Sequence, residues 1–299
     1  MPELRTPVAS PAHEDTVREF AEQLAAIMGG TSARRSAREL LSLVWDATPG
    51  WIAAHADNNV PESIRETALS AACRVANGEP MAYACGRVAF RDMVLHIDSR
   101  ALIPRPETEV VVGEALSVCA TGIAADIGTG SGAIALALAT EGRFDEVVAT
   151  DISADALALA RQNAARAQPN CPVRTECGSL FEPLGDAKFD LIVSNPPYIA
   201  SGEMLDLPAA VHDWEPPVAL VSGNDGLDHT ARLVAGATQR LKPGGWLVLE
   251  VDSRRATAVA ALLAAQPGFT DVMIRSDLTG RPRVALARRT DATTEMRDA

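Results

Sequence analysis

The segment Ile123-Ala124-Ala125-Asp126-Ile127, Gly128-Thr129-Gly130-Ser131-Gly132, Ala133-Ile134-Ala135-Leu136-Ala137-Leu138-Ala139 runs from an apolar strand through a glycine-rich turn into an apolar helix. A strand that turns sharply into a helix demands unusual backbone dihedrals, and a ligand approaching that turn needs a backbone free of Cβ atoms. Glycine meets both demands, so the turn reads as a pocket floor. The spacing is G-x-G-x-G rather than the dinucleotide fingerprint G-x-G-x-x-G, and an acid, Asp126, stands just ahead of it.

Outward from this unit, strand-like and helical runs alternate. Residues 147–151, 173–177, 189–194, 246–251, 270–275 and 283–287 read as further strands. Repeated strand–helix–strand units predict an α/β domain with a doubly wound, mainly parallel sheet over residues 104–288. Upstream the period is helical: Val17, Phe20, Leu24 and Ile27 recur at helix spacing, Gly29-Gly30 stop the run, and Ala37, Leu40, Leu41 and Val44 start another. Residues 16–85 are therefore expected to form a small helical domain. Residues 86–103, with Val88, Phe90, Val94, Leu95 and Ile97 around Arg91-Asp92, read as a β-hairpin linker between the two domains. Residues 1–15 and 289–299 read as flexible ends.

The residues around the glycine turn point to a ligand class. Asp151 closes the second strand, where a carboxylate reaches a ribose diol. A preceding acid such as Asp126 suits a cationic amino-acid moiety better than a pyrophosphate, which favours S-adenosylmethionine over NAD. The alternative is a structural turn with strand-end acids capping helices. Gly178-Ser179-Leu180-Phe181 follows the third strand and reads equally well as a loop facing an adenine or as an ordinary loop.

The fourth strand runs into Ser194-Asn195-Pro196-Pro197-Tyr198-Ile199. Two prolines end the ladder and stiffen the turn. The Asn195 side-chain oxygen and the Pro196 carbonyl can then take both hydrogens of an NH2 group. An amide or aromatic amine is a poor nucleophile because its lone pair is delocalised. Converging acceptors favour a pyramidal nitrogen aimed at an incoming methyl, so the loop acts by positioning and preorganised charge. Tyr198 would pack on the planar target and the sulfonium, worth roughly 0.5–2 kcal/mol as a cation–π contact. A plain Pro-Pro turn is the competing reading. Glu107 and Glu109 read equally well as an acid/base pair or as carboxylates stabilising a helix N-terminus.

Composition narrows the partners. In 299 residues, 27 Lys plus Arg stand against 39 Asp plus Glu, a net charge of −12 that repels nucleic acid and anionic lipid. Aromatics are 4%, too few for base-stacking platforms. The five cysteines contain no C-x-x-C and the five histidines are scattered, which suggests a reduced cytoplasmic setting without disulfides or a metal. No apolar run is long enough to span a membrane.

With these motifs in view, the chain resembles the N5-glutamine methyltransferases that modify peptide chain release factors, the HemK/PrmC family. The matching stretches are GEPMAY (78–83), GRVAF (86–90), LIPRPETE (102–109), DIGTGSGAIALALA (126–139), NPPYI (195–199), EPPVALVSGNDGLD (215–228), LKPGGWLVLE (241–250) and DLTGRPR (277–283). NPPY alone is shared with adenine-N6 DNA methyltransferases; LIPRPETE and EPPVAL are more specific. The resemblance implies a Rossmann-like class I methyltransferase domain with a seven-stranded sheet, behind a small helical domain and a hairpin. It further implies that Gly128, Thr129, Gly130, Ser131 and Gly132 bind S-adenosylmethionine, Asp151 its ribose, and Ser179 and Leu180 its adenine. Asn195, Pro196, Pro197 and Tyr198 would be the catalytic residues that hold the target glutamine amide, with Phe90 and Arg105 bordering the site on the substrate side and Asp126 and Asn195 also contacting the cofactor. S-adenosylhomocysteine would be the product, release factors the protein substrate, and the enzyme a monomer.

Two departures stand out. Ser179 replaces the family's usual Asp, removing an acceptor for the adenine amino group, and Val251-Asp252-Ser253-Arg254-Arg255 replaces a glycine-containing turn. Three functions are weighed on this basis. The first is methylation of the glutamine in the Gly-Gly-Gln motif of release factors. The second is the same chemistry on a ribosomal protein or on DNA adenine. The third is non-catalytic cofactor binding by a partner of release factors.

Overall fold

The computed structural model describes residues 15–290, so the expected flexible ends at 1–14 and 291–299 lie outside the described residues. The chain divides after Cys85 into two compact units.

The first unit holds α1 (Val17–Met28), α2 (Ala33–Trp45), α3 (Pro49–Ala54), α4 (Glu62–Ala76) and α5 (Met81–Cys85). Helix α1 starts at a capping box: Thr16 Oγ1 accepts from the Glu19 N–H, and Glu19 Oε2 accepts from the Thr16 N–H at 2.9 Å. Phe20, Leu24, Leu40, Leu41 and Ile52 interlock with the small faces of Ala68, Ala71 and Ala72 on α4. Asp15, expected in the flexible leader, is instead anchored. Its carboxylate pairs with Arg65 at 2.8 Å and its carbonyl accepts from the Val60 N–H. Arg65 in turn lies 4.6 Å over the Phe20 ring.

The second unit begins with β1 (Arg87–Phe90) and β2 (Met93–His96), followed by α6 (Pro106–Val118), β3 (Thr121–Ile127), α7 (Ala133–Glu141), β4 (Arg143–Asp151), α8 (Ala154–Ala167), β5 (Val173–Cys177) and β6 (Phe189–Ser194). After these come α9 (Ala209–His212), α10 (Asp228–Ala237), β7 (Leu241–Glu250), α11 (Ala256–Ala265), β8 (Phe269–Ser276) and β9 (Pro282–Arg289). Seven strands form one sheet in the order β5-β4-β3-β6-β7-β9-β8. Strands β3 to β7 are parallel, and β9 is antiparallel to both β7 and β8. Arg289, expected in the flexible tail, pairs with Phe269 inside the sheet.

Alternation along the strands feeds two cores. Leu191 and Val193 of β6 face one side with Val111 and Val112 of α6, while Ile192 faces the other with Leu233 of α10 and Val259 of α11. The hairpin, expected as a linker, packs within the second unit. The reason is Asn163 of α8, which accepts from the His96 N–H at 2.7 Å and donates to the His96 carbonyl at 3.0 Å. Arg91 at the hairpin turn also pairs with Glu141 at the end of α7.

The chain winds outward through β3, β4 and β5, then crosses back to β6 on the other side of β3. This reversal opens a crevice beyond the carboxyl ends of β3 and β6, where α/β sheets bind ligands.

Candidate active site

The glycine turn sits in that crevice. Gly128, Gly130 and Gly132 all have positive φ, at 76°, 55° and 87°. The Gly128 and Thr129 N–H groups both donate to the Thr150 carbonyl at 2.8 Å, folding the turn onto β4. A Cβ on Gly128 would meet nothing within 4 Å, so that backbone borders open space, whereas at Gly132 it would press on Ala160 of α8. One glycine therefore clears the cavity and the other lets two helices approach.

Asp151 stands at the end of β4 as a rigid acceptor. Its Oδ2 accepts from the Gly130 N–H and its Oδ1 from the Ser153 N–H, both at 2.9 Å. Each oxygen keeps a lone pair for another donor, and the residue lines the cavity. Ser179 and Leu180 line it from the next strand end. Ser179 Oγ accepts from Arg232 at 3.3 Å, and Leu180 holds a left-handed φ of 47°. A leucine in that region is strained, a state that persists where the surroundings impose it.

Asp126 does not line the cavity. It is fully buried, and its Oδ2 accepts from Thr129 Oγ1 at 2.6 Å and from the Ala135 N–H at 3.1 Å. Its Oδ1 has no hydrogen-bond partner, and burial pushes the carboxyl up to about 7. Asp126 thus shapes the glycine turn and the start of α7 rather than meeting a ligand. Ser131 does line the cavity, and its carbonyl accepts from Asn163 Nδ2 at 2.8 Å.

Asn195, Pro196 and Pro197 complete the far wall. The adjoining Ser194 hydroxyl donates to the Ile127 carbonyl at 2.6 Å, tying the ends of β6 and β3 together. Asn195 Nδ2 donates to Thr108 Oγ1 at 3.2 Å, and Thr108 Oγ1 donates to Glu250 Oε2 at 2.7 Å. Beyond the prolines, the Ile199 N–H donates to the Leu220 carbonyl and the Ser222 N–H to the Ile199 carbonyl, both at 2.9 Å. The loop is thereby clamped to the segment 215–228.

Besides Asp126, three expected site residues fall outside the cavity lining. Tyr198 lies outside the cavity lining, because the clamp turns the chain away after Pro197. Burial, then the charge of Glu250, keeps its phenol protonated, against the pull of Arg283 and Arg105. Phe90 is 1% exposed in the core against Val111 and Val112, since it falls on the inner face of the hairpin. Arg105 also lies off the lining and pairs with the buried Glu215, joining LIPRPETE to EPPVAL. Of the two acids near it, Glu109 accepts from the Arg91 N–H at 3.0 Å, and both stand in the first turn of α6. The helix N-terminus is thus their setting, and neither lines the cavity.

The residues that sequence reasoning did not single out are Thr108, Glu250, Asn163, His229 and Gly226. The ionisable groups lining the cavity are Arg100, Asp151 and His229. Arg100 is paired with Asp98 at 2.7 Å, and burial pushes the His229 imidazole down toward its neutral form. The atypical 251–255 loop is held by charge pairs in place of a glycine turn. Burial opposes ionisation of Asp252, but hydrogen bonds from Arg254 hold its carboxyl below the usual range. Arg255 bridges Asp252 to Glu203 at 3.2 and 2.7 Å.

The cavity fits S-adenosylmethionine. The Gly128 backbone leaves room for a ligand, Asp151 offers acceptors for a diol, and Leu180, Ile152 and Pro197 supply apolar walls. Removing the carboxylate with Asp151→Ala is expected to raise the cofactor Kd about 10- to 100-fold, the loss of hydrogen bonds to a charged acceptor. Titration calorimetry on the whole chain reads this directly.

Fold and site together define a class I, S-adenosylmethionine-dependent methyltransferase. Residues 108–210 match the methyltransferase small domain family and residues 15–86 the PrmC N-terminal domain. A methyltransferase from Pyrococcus furiosus shares the fold, with a TM-score of 0.50 at 22% identity over 66% of this chain and 88% of that one. The release factor glutamine methyltransferase of Xylella fastidiosa (strain Temecula1) is 42% identical over 258 residues, 85% of this chain and 93% of the relative. That of Geobacter sulfurreducens is 42% identical over 71% of this chain and 74% of the relative, and that of Cereibacter sphaeroides 35% over 92% and 97%. The chain belongs to the release factor glutamine methyltransferase family. Among the described residues no helix is long and apolar enough to cross a membrane.

Proposed function

We propose that this chain transfers a methyl group from S-adenosylmethionine to the side-chain amide nitrogen (N5) of the glutamine in the Gly-Gly-Gln motif of peptide chain release factors. The observation that carries the reading is the meeting of Asn195, Pro196 and Pro197 with the glycine turn and Asp151 in one cavity. S-adenosylmethionine, when bound, supplies a methyl group made electrophilic by its sulfonium.

The chain's own residues bind and orient. Asp151 takes the ribose hydroxyls, and the loop at Ser179 and Leu180 borders the adenine. The turn from Gly128 to Gly132 leaves room for the amino-acid end. Asn195 Oδ1 and the Pro196 carbonyl accept the two amide hydrogens and hold the nitrogen toward the methyl group. His229, whose imidazole is pushed toward the neutral form by burial and then by Arg232, is hydrogen-bonded to Ser222 at 3.0 Å in this wall.

The net charge of −12 supports a protein acceptor over DNA, whose phosphates it would repel. We read the enzyme as a monomer acting in the cytoplasm, where translation terminates. The test is to incubate purified chain and cofactor with unmodified release factor and digest the product. A methyl-sized mass gain on the Gly-Gly-Gln peptide is expected. No gain there, with methyl incorporated into ribosomal protein or DNA instead, would overturn the assignment.

A further inference from the structure

We infer that Glu250 and Thr108 form a hydrogen-bond relay that sets which end of the Asn195 amide faces the acceptor, which makes both of them positioning residues for methyl transfer. The inference rests on the function proposed above.

Three elements bring the relay together. Strands β6 and β7 are parallel neighbours with Ser194 opposite Leu249, so Asn195 and Glu250 lie side by side one residue further on. The first turn of α6 places Thr108 between them. Thr108 and Glu250 are 3% and 1% exposed, so water does not replace a missing partner.

The direction of the bonds follows from proton counting. A carboxylate only accepts, so the single hydroxyl proton of Thr108 goes to Glu250. What Thr108 then offers Asn195 is a lone pair, and only the NH2 end of the amide can use it. The two ends of an asparagine amide are nearly the same shape, so sterics alone do not choose between them. The relay makes the choice, and it leaves Oδ1 for the cavity. An acceptor is what a substrate NH2 group requires there; the opposite orientation would set donor against donor.

Protonating Glu250 removes this instruction. A carboxylic acid can donate to Thr108, which frees the threonine proton for Asn195 Oδ1 and turns the NH2 end toward the substrate. The groups facing Glu250 are Thr108 and Glu107 from α6, Arg105 at the N-cap of that helix, Arg283 from β9 and Tyr198 from the loop after β6. Burial outweighs the bond from Thr108 and the charges of Arg283 and Arg105, and the carboxyl is pushed up to about 7. Turnover is therefore expected to fall about tenfold per pH unit below that midpoint.

The experiment measures kcat and KM for methylation of intact release factor from about pH 5.5 to about pH 9. Wild type, Thr108→Val, Thr108→Ser and Glu250→Gln are compared, with cofactor affinity and thermal unfolding measured alongside. Thr108→Val should lower kcat about 10- to 100-fold with little change in KM or cofactor Kd, and Thr108→Ser should restore most of it. Glu250→Gln should lose the acidic limb seen in wild type. Wild-type kcat in Thr108→Val, or an acidic limb that persists in Glu250→Gln, overturns the relay alone. If Thr108→Val does not fold, the Glu250→Gln profile decides. Wild type that leaves release factor unmethylated overturns the proposed function instead, and the relay falls with it.

Discussion

Asn195→Ala is expected to lower turnover on release factor about 100- to 1000-fold while cofactor binding stays close to wild type. The substitution removes the side-chain acceptor from the cavity wall and leaves the Pro196 carbonyl to hold the amide alone. In the proposed function the cofactor is held from the opposite wall, where Asp151 is fixed by the Gly130 and Ser153 N–H groups. The loss therefore belongs in kcat, because the missing bond matters most when the nitrogen pyramidalises. Single-turnover kinetics with pre-bound cofactor separate this from slow product release. Turnover unchanged by Asn195→Ala would assign the acceptor amide to other groups. Methyl transfer undetectable in both proteins, with release factor still bound, would favour the non-catalytic reading.

Gly226→Ala is the second large effect, and it lies outside the cavity. Gly226 has a φ of 79°, and an added Cβ would overlap the Tyr198 carbonyl oxygen and Arg255 Nε. The left-handed backbone alone costs an alanine about 1–2 kcal/mol. The overlap falls on backbone that cannot swing aside and on a guanidinium already bonded to the Asp225 carbonyl at 2.7 Å. We expect a fall in Tm of at least about 5 °C for a unit of this size. Turnover should fall too, because the displaced carbonyl belongs to the loop that carries Asn195. Calorimetric unfolding and the same methylation assay check both. A variant with wild-type Tm and kcat would show that the segment 222–228 does not brace the loop.

Much of the fold was legible because its signals are local. The glycine turn between an apolar strand and an apolar helix can be read from a dozen consecutive residues, since the dihedrals it requires belong to those residues themselves. Asp151, Ser179, Leu180, Asn195 and Pro196 were legible for a related reason. Each sits at the end of a strand or within three residues of it, and in a doubly wound sheet strand ends converge on the crevice. Residue type and place in the chain sufficed.

Asp126 and Phe90 show where that reasoning stops. Both belong to matched motifs, yet the packing covers each side chain: Phe90 joins the core and Asp126 lies in a stretch of β3 buried on both faces. Tyr198 follows the two prolines in sequence, but its neighbour Ile199 exchanges backbone bonds with Leu220 and Ser222 of a distant segment, which turns it away. The hairpin carried a clear two-strand pattern. Its inclusion in the second unit depends on Phe90 and Leu95 packing into that unit's core and on Asn163, 67 residues beyond His96.

By itself the sequence determined the order of elements, the glycine turn, the proline-stiffened loop and the net negative charge. These depend on backbone preferences and summed charge, which do not require knowing what lies across the sheet. Only the tertiary structure decided which side chains face the cavity and how protons run between them. Thr108 is 87 residues from Asn195 and 142 from Glu250, and they meet because β6 and β7 are adjacent and α6 starts over their ends. A hydrogen bond acts over about 3 Å, so its partners are set by strand register and helix packing rather than by distance along the chain.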